Sequence, residues 1–191
     1  MKQTRLDIFF NIKYKKDEKL INKNNTTSNT PNNTPVYGAT NNDIVINPFK
    51  LNDKLKKKIP KYILRFDGAS KGNPGFAGAG AVLYENGKEI WCASRYLGIQ
   101  TNNYAECFAA TLGINEAYNK GIKKLEVEGD SMLIINQLKG KWKINNKDLK
   151  KLYLSIQEIL KQFEIITYKH IYRNNNKRAD ELANIGVSII L

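Results

Sequence analysis

The chain has 191 residues, of which 41% are hydrophobic and 10% aromatic, so it is long and apolar enough for one ordinary domain with an extension. Its formal net charge of +13 favours a polyanionic partner, nucleic acid first, over a neutral or acidic one. Two cysteines exclude a disulfide scaffold, and no apolar run is long enough for a signal peptide or a membrane span, so we expect an intracellular protein in a reducing compartment.

The first predicted element is a short apolar island at residues 1–12, which contains the sequence QTRLDIFF. Leu6, Phe9 and Phe10 fall on one side of a single helical turn, and Gln3 adds a hydrogen-bonding side chain. The pattern resembles the PIP box, the peptide with which replication and repair proteins bind the sliding clamp PCNA. The resemblance implies PCNA as a partner. The alternative is a terminal strand or helix that packs on the domain.

Residues 13–60 form the second predicted segment. Asn, Thr and Pro dominate residues 22–42, and large apolar side chains are scarce there, so this stretch cannot bury enough surface to offset the entropy of ordering. A basic run, KLKKK, follows at residues 54–58. We therefore predict a flexible basic linker, with a catalytic domain at residues 61–191.

From residue 61 onward, strand and helix patterns alternate in the order βββαβααβα, which predicts an α/β fold with a five-stranded mixed sheet flanked by helices. The Asn-Gly pair at residues 86–87 predicts a hairpin between the second and third strands. The predicted strands are residues 62–67, 78–84, 90–96, 124–129 and 165–171, and the predicted helices are residues 103–118, 131–138, 148–163 and 177–187.

Asp67 follows an apolar run and precedes the sequence GASKGNPG, which is rich in turn-forming residues. We therefore predict that the first strand ends at Asp67 and that a tight loop follows it. Asp67 is then either a turn residue or a functional carboxylate at the end of a strand. One carboxylate cannot decide between these two roles, so the positions of the other acidic residues matter.

Three more carboxylates occupy comparable positions. Asp130 follows the fourth strand, Glu106 lies near the start of the first long helix, and Asp180 lies in the first turn of the last helix. Each alone could be a cap, a turn or a surface residue. Strand ends next to helix starts are where α/β folds place their sites, and clustered carboxylates suit Mg²⁺. A pair of such ions can activate water and stabilise the leaving oxygen of a phosphodiester.

Four separated stretches carry a family resemblance, in order: FDGASKGNPGFAGAGAVL, TNNYAECFAATLGI, VEGDSMLIINQL and KHIYRNNNKRADELAN. They resemble type 1 ribonuclease H over about residues 61–187. The resemblance implies the ribonuclease H-like fold and an endonuclease that hydrolyses the RNA strand of RNA–DNA hybrids, leaving 5′-phosphate and 3′-hydroxyl ends. It also implies two Mg²⁺ ions, with Mn²⁺ as a substitute. The implied metal-binding catalytic residues are Asp67, Glu106, Asp130 and Asp180.

The resemblance also implies substrate contacts. Asn73, Asn102 and Asn103 match positions that contact base edges and ribose in the minor groove, and Thr101 matches a position that holds a phosphate of the DNA strand. Glu106 is implied to contact a ribose 2′-hydroxyl, the group that distinguishes RNA from DNA. Turn chemistry is the alternative for the asparagines.

His170 lies ten residues before Asp180, where the family often has a histidine that assists proton transfer or product departure. The resemblance therefore implies an auxiliary catalytic role, and the alternative is a structural histidine at a strand end. The basic handle of some bacterial members is reduced here to Lys139–Lys143. That segment contains Trp142, which either grips the DNA strand or belongs to the core.

Two rival functions remain open at this stage. One is a nuclease of the same fold that acts on DNA, and the other is a hybrid-binding module without catalysis. The favoured interpretation is a monomeric ribonuclease H that acts in primer or hybrid removal during DNA replication or repair. The corresponding location is the nucleus or another site of DNA replication, such as a viral replication compartment.

Overall fold

The computed structural model describes residues 61–189 together with the backbone of residues 44–46. The sheet has six strands, and the helices lie on its two faces. In chain order, the strands are β1 (Ile44–Ile46), β2 (Tyr62–Gly72), β3 (Gly75–Glu85), β4 (Lys88–Gln100), β5 (Lys124–Gly129) and β6 (Ile165–His170). The helices are α1 (Asn102–Asn119), α2 (Met132–Leu138), α3 (Lys147–Leu160) and α4 (Lys177–Ser188).

The strands are ordered β1-β6-β5-β2-β3-β4 across the sheet. Strands β2, β3 and β4 form an antiparallel meander, and β5 and β6 are parallel to β2. The five predicted strands and the mixed sheet are therefore confirmed, in the predicted order. The parallel strands matter for function because the carboxyl ends of β5 and β6 lie side by side with the middle of β2.

Strand β1 was not predicted. It lies within residues 13–60, the segment that the sequence analysis assigns to a linker, and it pairs antiparallel with β6 at the edge of the sheet. Three residues are too few for a recognisable strand pattern, and their pairing depends on the free edge that β6 offers. The PIP-box-like residues Gln3, Leu6, Phe9 and Phe10, like the rest of residues 1–43 and 47–60, lie outside the described residues.

Strand β2 continues five residues past Asp67, so the prediction that it ends there is wrong. Asp67 pairs with Gly80 of β3, the antiparallel ladder runs on to Gly72, and only Asn73 and Pro74 form the turn. The small residues after Asp67 are therefore strand residues. Small residues occur both in flexible loops and in strands that pack closely against a helix, and the sequence pattern does not distinguish these two cases.

Glycines allow the helices to approach the sheet closely on both faces. A Cβ atom at Gly68 would lie 2.1 Å from the backbone nitrogen of Glu106, so α1 packs directly against β2. A Cβ atom at Gly80 would lie 2.3 Å from the carbonyl oxygen of Ala179, so α4 packs against β3 on the other face. This explains why the predicted small-residue strand, β3, is rich in glycine and alanine.

The core lies between the sheet and the helices. On α1, Phe108, Ala109 and Leu112 are buried, as predicted from their helical spacing. Ser131 caps α2 as predicted, since its hydroxyl oxygen accepts a hydrogen bond from the backbone nitrogen of Ile134. Within residues 61–189, no helix is both long and apolar enough to span a bilayer.

Candidate active site

Three carboxylates converge at the carboxyl end of β5. Asp67 comes from the middle of β2, Glu106 from the first turns of α1 and Asp130 from the residue after β5. One ligand oxygen from each lies within 4.8 Å of the others. Asp67 and Glu106 are buried, and Asp130 is partly buried. The structure therefore brings together three of the four carboxylates that the sequence analysis selected.

The fourth, Asp180, lies in the first turn of α4 as predicted and lines the same open cleft. Its Oδ1 accepts a hydrogen bond from Nη2 of Arg173 at 2.7 Å, and Asn184 donates from Nδ2 to its Oδ2 at 3.3 Å. Asp180 thus reaches the cleft from α4, on the face of the sheet opposite to α1. The guanidinium of Arg173 and the side-chain amide of Asn184 hold its carboxylate in place.

Burial and mutual repulsion disfavour the charged forms of these groups. Burial, and secondly the nearby Asp130, raises the pKa of Asp67 to about 7. The pKa of Glu106 lies well above its usual range because the side chain is buried and faces Asp67 and Asp130. A cation in the cleft would relieve this repulsion, so the cluster is suited to binding one.

The donor set fits a hard divalent ion. Glu106 Oε2 is buried without a hydrogen-bond partner among the described residues, although a buried carboxylate oxygen normally has one. Asp67 Oδ1 accepts a hydrogen bond from the backbone nitrogen of Gly68 at 2.9 Å. Carboxylate oxygens with unused acceptor capacity are the ligands that Mg²⁺ and Mn²⁺ prefer.

Asn176 was missed by the sequence analysis. It is fully buried, and its Nδ2 donates to the carbonyl oxygen of Phe66 at 2.9 Å and to Oδ1 of Asp130 at 3.2 Å. It therefore joins β2 to the carboxylate that follows β5. The sequence contains it in a run of three asparagines before α4, and nothing in that run distinguishes the buried member from the exposed ones.

Arg173 was also missed. Its side chain is 77% exposed, yet the guanidinium pairs with Asp180, and this pairing raises the pKa of Arg173. It lies at the start of a 3-10 turn at Arg173–Asn175, seven residues before its partner. The sequence shows the positive charge, but only the fold of the connection between β6 and α4 places it in the cleft.

Three of the predicted substrate-contact residues, Thr101, Asn102 and Asn103, lie at the start of α1, and the fourth, Asn73, lies in the β2–β3 turn. Asn102 lines the cleft, and its backbone nitrogen donates to Oδ1 of Asn73 at 3.1 Å. Thr101 is the N-cap of α1, since its hydroxyl oxygen accepts from the backbone nitrogen of Tyr104 at 3.2 Å. Asn103 is exposed in the first turn. Asn73 therefore fastens the β2–β3 turn to the helix start.

His170 is placed differently from the carboxylates. Its Nε2 lies 3.1 Å from the backbone carbonyl oxygen of Asp130, and its ring meets the exposed Tyr172 edge-on. His170 is not among the described residues that line the cleft. This contact fits the structural alternative, and the auxiliary catalytic role stays a prediction. In the 139–143 segment, Trp142 is 49% exposed and is therefore not a core residue.

Several solved structures that resemble this one are ribonucleases H. The structure is similar to RNase H1 from the archaeon Halobacterium salinarum, with a TM-score of 0.63 and 37% identity over 66% of this chain and 97% of that one. It resembles LC11-RNase H1, solved in complex with an RNA/DNA hybrid, with a TM-score of 0.63 and 34% identity over 67% of this chain and 97% of that one. The fold and the acidic cleft together define an enzyme of the ribonuclease H class.

The sequence matches the Reverse transcriptase-like family over residues 65–186, and the chain belongs to this family. It is 33% identical to Ribonuclease H of Pseudomonas entomophila, over 63% of this chain and 89% of that protein. It is also 37% identical over 126 residues to Bifunctional protein Rv2228c of Mycobacterium tuberculosis. The chain spans 35% of the length of that mycobacterial relative, so the match concerns the ribonuclease H-like domain alone.

The raised pKa values predict a pH-dependent stability in the absence of metal. A group whose pKa is raised by folding stabilises the folded state below its unfolded value, and this contribution is lost as the pH rises through the folded value. For Asp67 the window runs from 3.8 to about 7. We therefore expect Asp67→Asn to unfold at a higher temperature than the wild type without metal, and the difference to grow from pH 4 to pH 7.

Thermal unfolding in a chelating buffer measures this difference. Other carboxyl groups titrate in the same range. The informative quantity is therefore the unfolding temperature of the variant minus that of the wild type at each pH. Asp148→Asn changes an exposed carboxyl group of α3 and serves as the control, with a difference that stays near zero. A difference for Asp67→Asn that is independent of pH would contradict the electrostatic account of the site.

Proposed function

We propose that this chain is an endonuclease that hydrolyses the RNA strand of RNA–DNA hybrids. The observation that carries the proposal is the convergence of Asp67, Glu106 and Asp130, with Asp180 in the same cleft, in a chain of the ribonuclease H class. The complex of LC11-RNase H1 with an RNA/DNA hybrid supports the choice of substrate.

We propose that Asp67, Glu106, Asp130 and Asp180 hold two Mg²⁺ ions, with Mn²⁺ as a substitute. When bound, such ions supply a nucleophilic water and stabilise charge on the leaving oxygen of the phosphodiester. The residues of the chain orient this chemistry. The backbone nitrogen of Gly68 and Nδ2 of Asn176 fix the Asp67 and Asp130 carboxylates, and Arg173 holds Asp180 at the rim. The proposed products carry 5′-phosphate and 3′-hydroxyl ends.

The start of α1 supports recognition of the hybrid. Asn73, Asn102 and Asn103 lie beside the acidic cleft, where their amides can contact base edges and ribose across a minor groove. Thr101 is proposed to bind a phosphate of the DNA strand, although its hydroxyl oxygen also caps the helix. Lys139–Lys143 and the exposed Trp142 are proposed to contact the DNA strand, a phosphate-led contact that weakens with salt. We propose that the enzyme acts as a monomer.

The decisive test is incubation with end-labelled RNA–DNA hybrid, DNA duplex and RNA duplex of one sequence, with Mg²⁺ or with chelator. We expect cleavage of the RNA strand of the hybrid only, and only with metal. Cleavage of the DNA duplex would favour a DNA nuclease of the same fold. Hybrid binding without cleavage at any metal concentration would favour a non-catalytic binding module. Ligation of the fragments and their phosphatase sensitivity would identify the ends.

We propose further that the island at residues 1–12 binds the sliding clamp PCNA. The pattern Gln3, Leu6, Phe9 and Phe10 supports this, and these residues lie outside the described residues. A tethered clamp-binding peptide would raise the local concentration of the enzyme at replicating DNA. This fits a role in primer or hybrid removal during replication or repair, in the nucleus or in a viral replication compartment.

The clamp proposal predicts separable functions. We expect Phe9→Ala with Phe10→Ala to remove binding to purified PCNA and to leave cleavage of free hybrid unchanged, because neither residue belongs to the catalytic domain. Calorimetry with PCNA and a hybrid-cleavage assay measure the two effects. Ile8→Ala, at a position that the PIP-box pattern leaves unspecified, is the matched control and should retain clamp binding. Equal affinity of the double variant and the wild type would exclude the motif.

A further inference from the structure

Three charged residues lie side by side on three neighbouring strands, in one row of paired residues across the sheet, which we call a rung. Arg65 on β2 pairs in register with Glu128 on β5, and Glu128 pairs in register with Lys169 on β6. We call Arg65, Glu128 and Lys169 the cross-strand triad. The order of charges across the sheet is positive, negative, positive, with the carboxylate in the middle.

The carboxylate of the triad is deeply buried and bonded on both sides. Glu128 is 2% exposed; Arg65 donates from Nε to its Oε2 at 2.8 Å, and Lys169 donates from Nζ to its Oε1 at 3.1 Å. Burying an ion pair is costly, and its net contribution to stability is often small compared with apolar residues of similar volume. The triad therefore calls for an explanation other than folding stability.

The position of the triad supplies one. In the described part of the chain, the parallel pairing of β2 with β5 ends at the rung of Arg65 and Glu128. Asp67 comes two residues after Arg65 on β2, and Asp130 comes two residues after Glu128, directly after the end of β5. Because side chains alternate along a strand, Arg65 and Asp67 share one face of β2, so the triad lies one pleat below Asp67 of the candidate active site.

Asp67 and Asp130 lie beyond the last paired rung of β2 and β5, and a carboxylate oxygen of one lies within 4.8 Å of a carboxylate oxygen of the other, so the two side chains repel each other when both are charged. Asn176 bridges the two strands above that rung through Phe66 and Asp130. At that rung, the ion pairs of the triad oppose separation of the strands. Lys169 extends this connection to β6, whose next residue, His170, contacts the carbonyl oxygen of Asp130.

We propose that the cross-strand triad is a positioning device that sets the spacing of Asp67 and Asp130 and thereby the affinity of the cleft for divalent cations. The proposal rests on the proposed function only in taking these carboxylates as cation ligands. Its residues do not line the cleft in the described structure, so they act through the two aspartates and not on the substrate. Outer residues that orient metal ligands typically change metal affinity or activity by about 10- to 100-fold.

The test is Glu128→Gln, examined first by calorimetric titration with Mn²⁺ in the absence of nucleic acid. We expect the affinity for Mn²⁺ to fall by about tenfold or more. With hybrid and Mg²⁺, we expect kcat to fall by a similar factor and KM for the hybrid to stay within about twofold, because the substrate-contact residues are unchanged. Arg65→Lys, which keeps the charge, should stay closer to the wild type in Mn²⁺ affinity than Arg65→Met.

Two controls separate positioning from stability. Glu85→Gln removes the ion pair with Lys61 at the opposite end of β2, and Ile156→Val makes a small cavity under α3. Both should leave the affinity for Mn²⁺ unchanged whatever their effect on the unfolding temperature. If Glu128→Gln does not fold, Arg65→Met is measured in its place, since it keeps the bond between Glu128 and Lys169.

The proposal is overturned if Glu128→Gln binds Mn²⁺ as the wild type does, or loses no more affinity than Ile156→Val at the same loss of stability. It is also overturned if Arg65→Lys and Arg65→Met bind Mn²⁺ equally. A different result would contradict the proposed function: a wild-type protein that binds Mn²⁺ but does not cleave the hybrid. In that case the calorimetric comparison of the variants still decides the role of the triad.

Discussion

Asp67→Asn is expected to abolish cleavage of RNA–DNA hybrids while the variant still folds and binds the hybrid. The ligand oxygens of Asp67, Glu106 and Asp130 lie within 4.8 Å of one another, so the substitution removes one of the carboxylates that are proposed to hold the metal ions. Loss of several kcal/mol of charge stabilisation in the transition state corresponds to a fall in kcat of about a thousandfold or more. Single-turnover cleavage with Mg²⁺ and a separate hybrid-binding assay with chelator measure the two properties.

The substitution changes little else in the structure. An asparagine oxygen can still accept the hydrogen bond from the backbone nitrogen of Gly68, and neutralising the group reduces repulsion within the cluster. Asp148→Asn, which changes an exposed carboxyl group on α3, is the matched control and should cleave at the rate of the wild type. A rate for Asp67→Asn within tenfold of that control would rule out Asp67 as an essential ligand.

Gly68→Ala is expected to have the second large effect, because α1 contacts β2 at this residue. The added Cβ would lie 2.1 Å from the nitrogen of Glu106 and 2.4 Å from the carbonyl carbon of Ala105, so the helix must move away from the strand. Overpacking of this kind costs about 1–3 kcal/mol of stability. The shift moves Glu106 away from Asp67, and a displacement of about 1 Å can lower activity about 100-fold.

Unfolding in urea and the cleavage rate of the folded variant measure these effects. Gly87→Ala is a suitable control, because Gly87 has a φ of +80° in the β3–β4 hairpin and no atom within 4 Å of the added Cβ. It should lose stability through backbone strain alone and retain cleavage. If Gly68→Ala keeps full activity despite a similar loss of stability, the close contact of α1 with β2 does not position Glu106.

The two predictions concern the two ways in which the fold assembles the cleft. Side chains of β2 alternate, so Gly68 faces α1 and Asp67 faces α4. Two adjacent residues thus have different roles: Gly68 lets the helix that carries Glu106 approach the strand, and Asp67 provides one of the clustered carboxylates. The Asp-Gly pair at residues 67–68 is typical of a turn in the sequence, and only the sheet gives it these two roles.

Much of the fold followed from local patterns in the sequence. The spacing of Phe108 and Leu112, the cap at Ser131 and the Asn-Gly pair at residues 86–87 each depend on interactions within a few residues of chain, so the elements and their order could be predicted. Asp130, Glu106 and Asp180 could be selected because the end of a strand and the start of a helix are local properties, whereas Asp67 was selected on a strand end that the structure does not have and on the motif FDGASKGNPG.

What the sequence by itself determined is therefore the order of five of the six strands and the four helices, together with the four acidic residues that line the cleft. The tertiary structure alone decided that Asp67 lies within β2, that Asn176 is the buried member of its run, and that Arg173 faces Asp180. It also placed Arg65, Glu128 and Lys169 on one rung. The physical reason is that these contacts join residues far apart in the chain, and register and packing between strands leave no signal in the local pattern of either partner.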